Sequence, residues 1–173
     1  SSAASDVYKR QIWIGTFRGL NKNNVHDYHQ YFCTDDSLGL PDNQITHLLR
    51  DSKNRFWVGT VNGVCLYTDK DNFRIIPIEA DNKNVRQILE DRNGRIFLNT
   101  GFQLYAYHPR EEKITCVLPE ISPGNAFYAQ CHTAPDNNLW VMTSTGLRCY
   151  DPSTLQLKES VALSGYPYYS VSY

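Results

Sequence analysis

One sequence pattern recurs four times along this chain of 173 residues, at a spacing of about forty residues. Each copy has one aromatic residue, which we call its anchor. The anchor follows an apolar residue and precedes a threonine by three positions. The anchors are separated by 44, 40 and 43 residues, and they are Trp13, Trp57, Phe97 and Trp140. A fixed period of this length is the signature of a repeat architecture, in which each copy forms one small structural unit.

Within a copy, polar and apolar residues alternate as in β-strands, and no segment has helical spacing. In the second copy, the strands "QITHLLRD" and "FWVGT" flank a tight turn, where Asn54 occupies a position that favours left-handed backbone. Asp51, and Asp91 in the third copy, can accept hydrogen bonds from the amides of such a turn. Gly59 within the second strand is expected to admit a neighbouring strand or ring at close approach. Gly63 marks a second turn, and two further strands complete the copy.

Sheets of this kind bury both faces only when copies stack, and radial stacking gives a β-propeller. The sequence therefore predicts an all-β fold, a partial β-propeller of four-stranded antiparallel blades with about three complete blades and parts of two. A closed ring needs at least about four full blades, so we expect an arc. The predicted segments are a tail at 1–11, a partial blade at 12–38, complete blades at 39–80, 81–120 and 121–163, and the start of another blade at 164–173.

The first copy lacks its opening strand, and residues 1–11 stand in its place. These eleven residues are identical to one reading frame of a widely used transposase sequencing adapter. The last three residues, 171–173, match the start of one frame of the reverse complement of the adapter's mosaic end. We therefore expect both ends to be adapter translation, with the native chain running from Ile12 to Tyr169 or Ser170. We also expect residues 1–11 to make no packed contacts and to add no strand to the first blade.

Composition narrows the function classes. The net charge of −1 argues against a surface that binds nucleic acid or membrane lipids, and no apolar run approaches the roughly 18 residues of a membrane span. The five cysteines include no Cys-x-x-Cys pair, so we predict no zinc site, no other metal and no cofactor. The cysteines are expected to be small buried thiols, which leaves the cellular compartment open.

Several residues could be catalytic or ligand-binding, but a structural role is favoured for each of them. Asp51 and Asp91 could form an acid/base pair, and His47 and His132 could be catalytic or ligating. The tryptophans could form a stacking platform for sugar rings. Because the aspartates and the tryptophans recur at fixed places in the repeat, structural roles in turns and in the core are favoured for them. The histidines lie in inner strands without a partner cluster, so a core or channel-lining role is favoured, and no catalytic residue is predicted.

The stretch from Gly39 to Tyr67 resembles the two-component regulator propeller repeat. The pattern of that repeat is Gly-Leu-Pro, a strand, Asp, a turn, Leu-Trp-Val-Gly-Thr and a Gly-Leu hairpin. The matching positions are Leu40, Pro41, Asp51, Trp57, Val58, Gly59, Thr60 and Gly63. "IWIGTFRGL" matches the second half in the first copy, whereas the third copy departs at Phe97 and Asn99 and the fourth at Met142.

The resemblance implies a role in sensing. Such repeats mostly form periplasmic sensor regions of bacterial hybrid two-component histidine kinases, which commonly detect oligosaccharides and regulate transcription through a phosphorelay. We thus expect a non-catalytic, periplasmic fragment of a longer parent protein. That parent would be an inner-membrane-anchored homodimer, and this segment would neither bind nucleic acid nor span the membrane. The alternatives are a protein-interaction propeller or a propeller glycoside hydrolase or lyase. The Asp box of sialidase-like propellers is not matched, because Asp51 and Trp57 are one residue too far apart and no Ser or Thr precedes Asp51 by two positions.

Residues that break the repeat are the better candidates for a binding site. The second hairpin turn of each copy and the connections between blades share one face of a propeller. Side chains with bidentate donors or aromatic faces suit a glycan there. The predicted ligand-binding residues are Arg18, Asn62, Phe102 and Tyr128.

Overall fold

The computed structural model describes residues 2–6, 11–24, 27–34, 39–68, 71–121, 129–143 and 146–162. These residues form four separate antiparallel sheets of four strands each, and they include no helix. The predicted all-β fold class is therefore confirmed, and each sheet is one blade of a partial β-propeller. The four strands of a blade follow one another along the chain, so each blade is a meander.

The strands are numbered in chain order. Blade 1 contains β1 (Ser2–Asp6), β2 (Gln11–Thr16), β3 (Gly19–Asn23) and β4 (Tyr28–Tyr31). Blade 2 contains β5 (Ile45–Arg50), β6 (Phe56–Thr60), β7 (Gly63–Tyr67) and β8 (Phe73–Ile76). Blade 3 contains β9 (Gln87–Glu90), β10 (Ile96–Asn99), β11 (Leu104–His108) and β12 (Lys113–Leu118). Blade 4 contains β13 (Gln130–Thr133), β14 (Leu139–Thr143), β15 (Gly146–Tyr150) and β16 (Leu157–Ala162).

The prediction that residues 1–11 add no strand to blade 1 is wrong for β1. This strand pairs with β2 from Ser2 opposite Gly15 to Asp6 opposite Gln11, and it also contacts β5 of blade 2. The physical reason is that β2 would otherwise present a free edge, whose backbone N–H and C=O groups an extended segment of almost any sequence can satisfy. Pairing of this kind does not depend on the origin of the segment, so the adapter origin stays a prediction.

Two other parts of the predicted ends lie outside the described residues. Val7 and Tyr8, which lie between β1 and β2 in the sequence, are outside the described residues. The same holds for 164–173, where the start of another blade is predicted. Within the described residues, blade 1 is four-stranded like the other three blades.

The blades stack through their first strands and through hydrophobic clusters between neighbouring sheets. β1 contacts β5, β5 contacts β9, and β9 contacts β13, so the first strands lie side by side along the inside of the arc. Three buried clusters join the blades in pairs. The first contains Trp13 and Phe56, the second Trp57 and Ile88, and the third Phe97 and Val141.

The four aromatic anchors occupy the same register position in their blades. Each lies on the second strand and pairs with a residue of the third strand, as Trp57 pairs with Leu66 and Phe97 pairs with Ala106. Trp13, Trp57 and Phe97 are buried, while Trp140 in the last blade is half-buried. Large aromatic side chains at this position therefore supply much of the apolar surface that each blade buries against the next.

Gly59 lies at the contact between blade 2 and blade 3. A Cβ atom at this glycine would be 3.1 Å from Cγ1 of Val85 and 3.2 Å from Cδ1 of Ile88. Blade 3 has Asn99 at the corresponding position, and its side-chain amide donates to the carbonyl of Ala129 over 2.9 Å. The two blades thus meet their neighbours differently, by close packing in one case and by a hydrogen bond in the other.

Candidate functional site

The loops of each blade lie on two opposite rims. We call the "aspartate rim" the turns between the first and second strands, at 51–55, 91–95 and 134–138. We call the "connection rim" the turns between the second and third strands together with the segments that join successive blades. The turns of the connection rim lie at 17–18, 61–62 and 100–103, and its joining segments lie at 32–34, 39–44, 77–86 and 119–121.

Backbone hydrogen bonds join the turns and the joining segments into one surface. The N–H of Gly19 in the turn of blade 1 donates to the carbonyl of Asn43 over 2.7 Å. The N–H of Val61 in the turn of blade 2 donates to the carbonyl of Gln44 over 3.2 Å, on the same joining segment. One joining segment therefore holds the turns of two successive blades, which fixes their side chains relative to each other.

Three of the four predicted ligand-binding residues lie on the connection rim. Arg18 and Asn62 occupy the same position in the turns of blades 1 and 2, and both side chains are exposed. Phe102 lies in the turn of blade 3 and is 44% exposed. Tyr128 is outside the described residues. Because each of the three belongs to a different blade, they are spread along the rim and do not form a single cluster.

The turns that present Arg18 and Asn62 are held by the repeated threonine. The N–H of Arg18 donates to Oγ1 of Thr16 over 3.0 Å, and the N–H of Asn62 donates to Oγ1 of Thr60 over 3.2 Å. Gly63, with φ of +124°, provides the left-handed backbone that this tight turn requires. The repeat thus builds the same turn in blades 1 and 2, and the exposed turn residues are free to vary.

The aspartate rim is a structural feature. Oδ1 of Asp51 accepts from the N–H groups of Lys53 and Arg55, and Oδ2 accepts from Nε of Arg55 at 2.6 Å and from the indole Nε1 of Trp57 at 2.8 Å. Asn54 adopts φ of +62° in this turn, as its position predicted. Burial by itself would raise the pKa of Asp51, but the hydrogen bonds from Trp57 and Arg55 hold that pKa below its usual value. A carboxylate held ionised by four donors is poorly suited to exchange protons with a substrate.

Asp91 repeats this arrangement in blade 3. Its Oδ1 accepts from the N–H groups of Asn93 and Arg95, each over 2.9 Å, and its Oδ2 accepts from Nε of Arg95 over 2.7 Å. Phe97 replaces the tryptophan here and offers no indole N–H. The two aspartates therefore cap separate turns on separate blades.

The inner strands carry a polar residue that reaches the next blade. The ring of His47 on β5 shares a hydrogen bond with the backbone of Ile88 on β9, and burial lowers the pKa of His47. Gln87, at the same register position on β9, donates from Nε2 to the carbonyl of Cys131 over 2.7 Å and accepts from the N–H of Cys131 over 2.9 Å. His47 therefore has a structural partner in the neighbouring blade. His132 lies on β13, opposite Trp140, and its Nε2 has no hydrogen-bond partner within the described residues.

One polar network was not predicted from the sequence. The Nζ atom of Lys22, a buried residue, donates to the hydroxyl of Tyr67 over 2.8 Å and to Oδ1 of Asp71 over 2.9 Å. The hydroxyls of Tyr31 and Tyr67 also donate to Asp71, and these bonds together with the ammonium of Lys22 lower the pKa of Asp71. The only sequence signal is that Lys22 stands where blade 2 has Leu66. The network joins blade 1 to blade 2 on the side away from the connection rim.

The cysteines and the acidic groups give no sign of nucleophilic or metal chemistry in the part of the chain that the structure describes. All five cysteines are free, and burial raises the pKa of Cys65, and that of Cys131 to about 12, so both stay protonated at neutral pH. Cys33 and Cys116 are exposed, contrary to the expectation of buried thiols. No group of three or more His, Cys, Asp or Glu side chains comes together there as a metal site would require. No helix long and apolar enough to cross a membrane occurs among the same residues.

Comparison with known proteins gives one family match. Residues 39–62 match the family model described as "Two component regulator propeller", which covers most of the repeat predicted at Gly39–Tyr67. No curated protein matches the chain significantly.

Solved structures share the fold of nearly the whole chain. The extracellular domain of the hybrid two component system BT4673 from B. thetaiotaomicron is 24% identical, with a TM-score of 0.76 over 94% of this chain and 22% of that one. The corresponding domain of the system BT3049 from the same organism is also 24% identical, with a TM-score of 0.72 over 92% of this chain and 22% of that one. Virginiamycin B lyase from Staphylococcus aureus is 16% identical, with a TM-score of 0.70 over 94% of this chain and 55% of that one.

The chain thus spans about a fifth of each hybrid-system domain and about half of the lyase. At these identities the similarity shows the fold alone, which hybrid two-component domains and a lyase share. The chain is a partial β-propeller that contains a two-component regulator propeller repeat at residues 39–62.

Proposed function

We propose that this chain is the ligand-sensing propeller segment of a hybrid two-component sensor histidine kinase, and that it binds an oligosaccharide on the connection rim. The parent protein would be an inner-membrane-anchored homodimer with this segment in the periplasm, and ligand binding would regulate transcription through a phosphorelay. Support for the class comes from the family match at 39–62 and from the likeness to extracellular domains of two hybrid systems.

The observation that carries the proposal is the contrast between the two rims. On the aspartate rim, Asp51 and Asp91 repeat one hydrogen-bonding arrangement, as a structural device does. On the connection rim, Thr16 and Thr60 hold the turns of blades 1 and 2 in the same way, yet the exposed turn residues Arg18, Asn62 and Phe102 differ between blades 1, 2 and 3. A ligand selects residues individually, whereas packing between repeats selects the same residue each time. Variation on a rigid frame is what a binding surface requires.

The same contrast favours a sensor over an enzyme. The carboxylates that could serve as an acid and a base are saturated with donors and lie on different blades. The likeness to a lyase extends only to the fold. Binding would act by favouring one arrangement of the parent dimer, because a ligand shifts a conformational equilibrium only through its different affinities for the two states.

The test uses the parent protein's complete extracellular region and isothermal titration calorimetry. The wild type is titrated with defined neutral and acidic oligosaccharides, and the titration is repeated with Arg18→Ala and Asn62→Ala. We expect one glycan class to bind, and each substitution to weaken that binding about tenfold, the loss typical of a side chain that contacts a ligand.

Three outcomes would count against parts of this proposal. Turnover of a glycan by the wild type would favour the hydrolase or lyase alternative. Binding that neither substitution changes would remove Arg18 and Asn62 from the site and leave the sensor class standing. Capture of a protein with no glycan binding would favour the interaction scaffold.

A further inference from the structure

The turn of blade 1 on the connection rim carries the most exposed large apolar side chain among the described residues. Phe17 is 77% exposed and opens the turn between β2 and β3. The corresponding residues are Val61 in blade 2 and Gly101 in blade 3. Phe17 therefore breaks the repeat and contributes little to the buried core, so its aromatic ring is not explained by folding.

A second exposed phenylalanine borders the same turn. Phe32 is 46% exposed and directly follows β4, at the position where Pro77 follows β8 and Pro119 follows β12. A proline ends the outer strand in the next two blades because it cannot continue the backbone hydrogen bonding. Blade 1 replaces that proline with an aromatic residue on the same rim.

The ring of Phe32 packs against the turn of blade 1. A Cβ atom at Gly19 would be 3.0 Å from Cδ1 of Phe32 and 3.2 Å from Cε1, so the ring lies directly against the glycine. The N–H of Cys33, the next residue, donates to Oδ1 of Asn43 over 2.7 Å. The phenylalanine is thus placed by its neighbours on both sides, and binding to a placed ring costs little conformational entropy.

Polar donors flank the two rings. Arg18 lies between Phe17 and Gly19 in the turn, and its side chain is exposed. Asn43 is exposed as well, and because its Oδ1 is taken by the N–H of Cys33, its amide NH₂ is the group able to donate outward. Two aromatic faces beside a guanidinium and an amide match a sugar ring, which has an apolar C–H face and hydroxyl groups around its edge.

We propose that Phe17 and Phe32 form the platform on which one sugar ring of the oligosaccharide stacks, while Arg18 and Asn43 donate to its hydroxyls. This inference rests on the proposed function, since it identifies where on the connection rim the glycan lies. It adds Phe17, Phe32 and Asn43 to the binding residues and places the main aromatic contact on blade 1.

The test measures the affinity of the parent's complete extracellular region for the oligosaccharide that gives the strongest calorimetric signal in a panel of glucan, mannan, xylan, fructan and uronate oligomers. The variants are Phe17→Ala and Phe32→Ala. Tyr28→Ala is the matched control, because Tyr28 is a 60% exposed aromatic residue of the same blade that lies on β4, away from the rim. Ligand proton NMR spectra of the wild type and of each variant report ring stacking directly, because an aromatic face shifts the sugar C–H signals upfield.

We expect Phe17→Ala and Phe32→Ala each to weaken binding about tenfold or more and to abolish the upfield shifts, with Tyr28→Ala unchanged. Because Phe17 is largely exposed, its substitution should leave folding intact, and the proposal stands or falls on that variant. If Arg18→Ala and Asn62→Ala weaken binding while both phenylalanine variants behave like Tyr28→Ala, the platform is wrong and the proposed function remains. If the wild type binds no oligomer of the panel, both are wrong.

Discussion

Trp57 shows how a single residue of this repeat serves two purposes. Its ring is fully buried between blades 2 and 3, where it meets Tyr107 with ring centroids 4.9 Å apart, and its indole N–H donates to Asp51. The side chain thereby couples the packing of two blades to the geometry of the turn on the aspartate rim. Arg55 adds to this link, because its guanidinium lies 5.2 Å from the Trp57 ring and also binds Asp51.

Substitution of Trp57 should separate the two contributions. Trp57→Ala is expected to lower the free energy of unfolding by about 3–5 kcal/mol, because it empties a large core position. Trp57→Phe introduces the residue that blade 3 has at this position, Phe97. It keeps most of the packing and removes the indole donor, so we expect the free energy of unfolding to fall by about 1–2 kcal/mol. Urea denaturation followed by circular dichroism measures both. A loss below about 1 kcal/mol for Trp57→Ala would contradict the core role.

At the scale of elements, neighbouring first strands are joined by one side chain at a fixed register position. His47 on β5 and Gln87 on β9 both reach the backbone of the next first strand. The two residues differ in that imidazole titrates and an amide does not. We therefore expect the contact that His47 makes between β5 and β9 to depend on pH, and the contact that Gln87 makes between β9 and β13 not to.

His47→Gln should make the stability of the chain less dependent on pH. Burial lowers the pKa of His47 below its ordinary value of 6.5, so the unfolded chain binds the proton more readily than the folded chain. The contribution of His47 is present in full above pH 6.5 and is lost as the pH falls below that value. Denaturation curves at pH 7 and pH 5 should differ less for the glutamine variant than for the wild type. An unchanged difference would show that other groups cause the pH dependence.

The repeat pattern allows the turns to be predicted from the sequence. It gives no information on contacts that occur in one blade alone. Asn54 is predicted to adopt left-handed backbone because it occupies the position of a tight hairpin turn that favours it, and the structure agrees. The network around Lys22 was not predictable, because its partners Tyr67 and Asp71 come from another blade and no pattern in the sequence links them. The pairing of β1 was missed because it depends on a free strand edge and not on the composition of residues 2–6.

The candidate site was likewise predictable from the sequence only in part. The sequence placed Arg18, Asn62 and Phe102 on one rim because turn positions alternate along a meander, and the structure has each of them in the corresponding turn. The position of Phe32 could not be read from the sequence, because it depends on the contact between the end of β4 and Gly19. A contact between a side chain and a neighbouring turn can be identified only from the three-dimensional structure.

At the scale of the whole molecule, the described loops lie on two rims, one with repeated contacts and one with varied exposed residues. Buried clusters join successive blades, so the turns of one rim keep their relative positions along the arc. The aspartate rim repeats its arrangement, and the connection rim varies its exposed residues. The central claim is that the varied rim binds the ligand while the aspartates of the repeated rim cap turns within the blades.

Hydrogen–deuterium exchange with and without the bound oligosaccharide tests this claim most directly. The account predicts slower exchange on binding at the connection-rim turns 16–19 and 60–63 and at the joining segment 39–44, because a ligand there shields and rigidifies the backbone. Exchange at the aspartate-rim turns 51–55 and 91–95 should stay unchanged and serves as the internal control. Protection confined to 51–55 and 91–95, or spread equally over both rims, would contradict the claim.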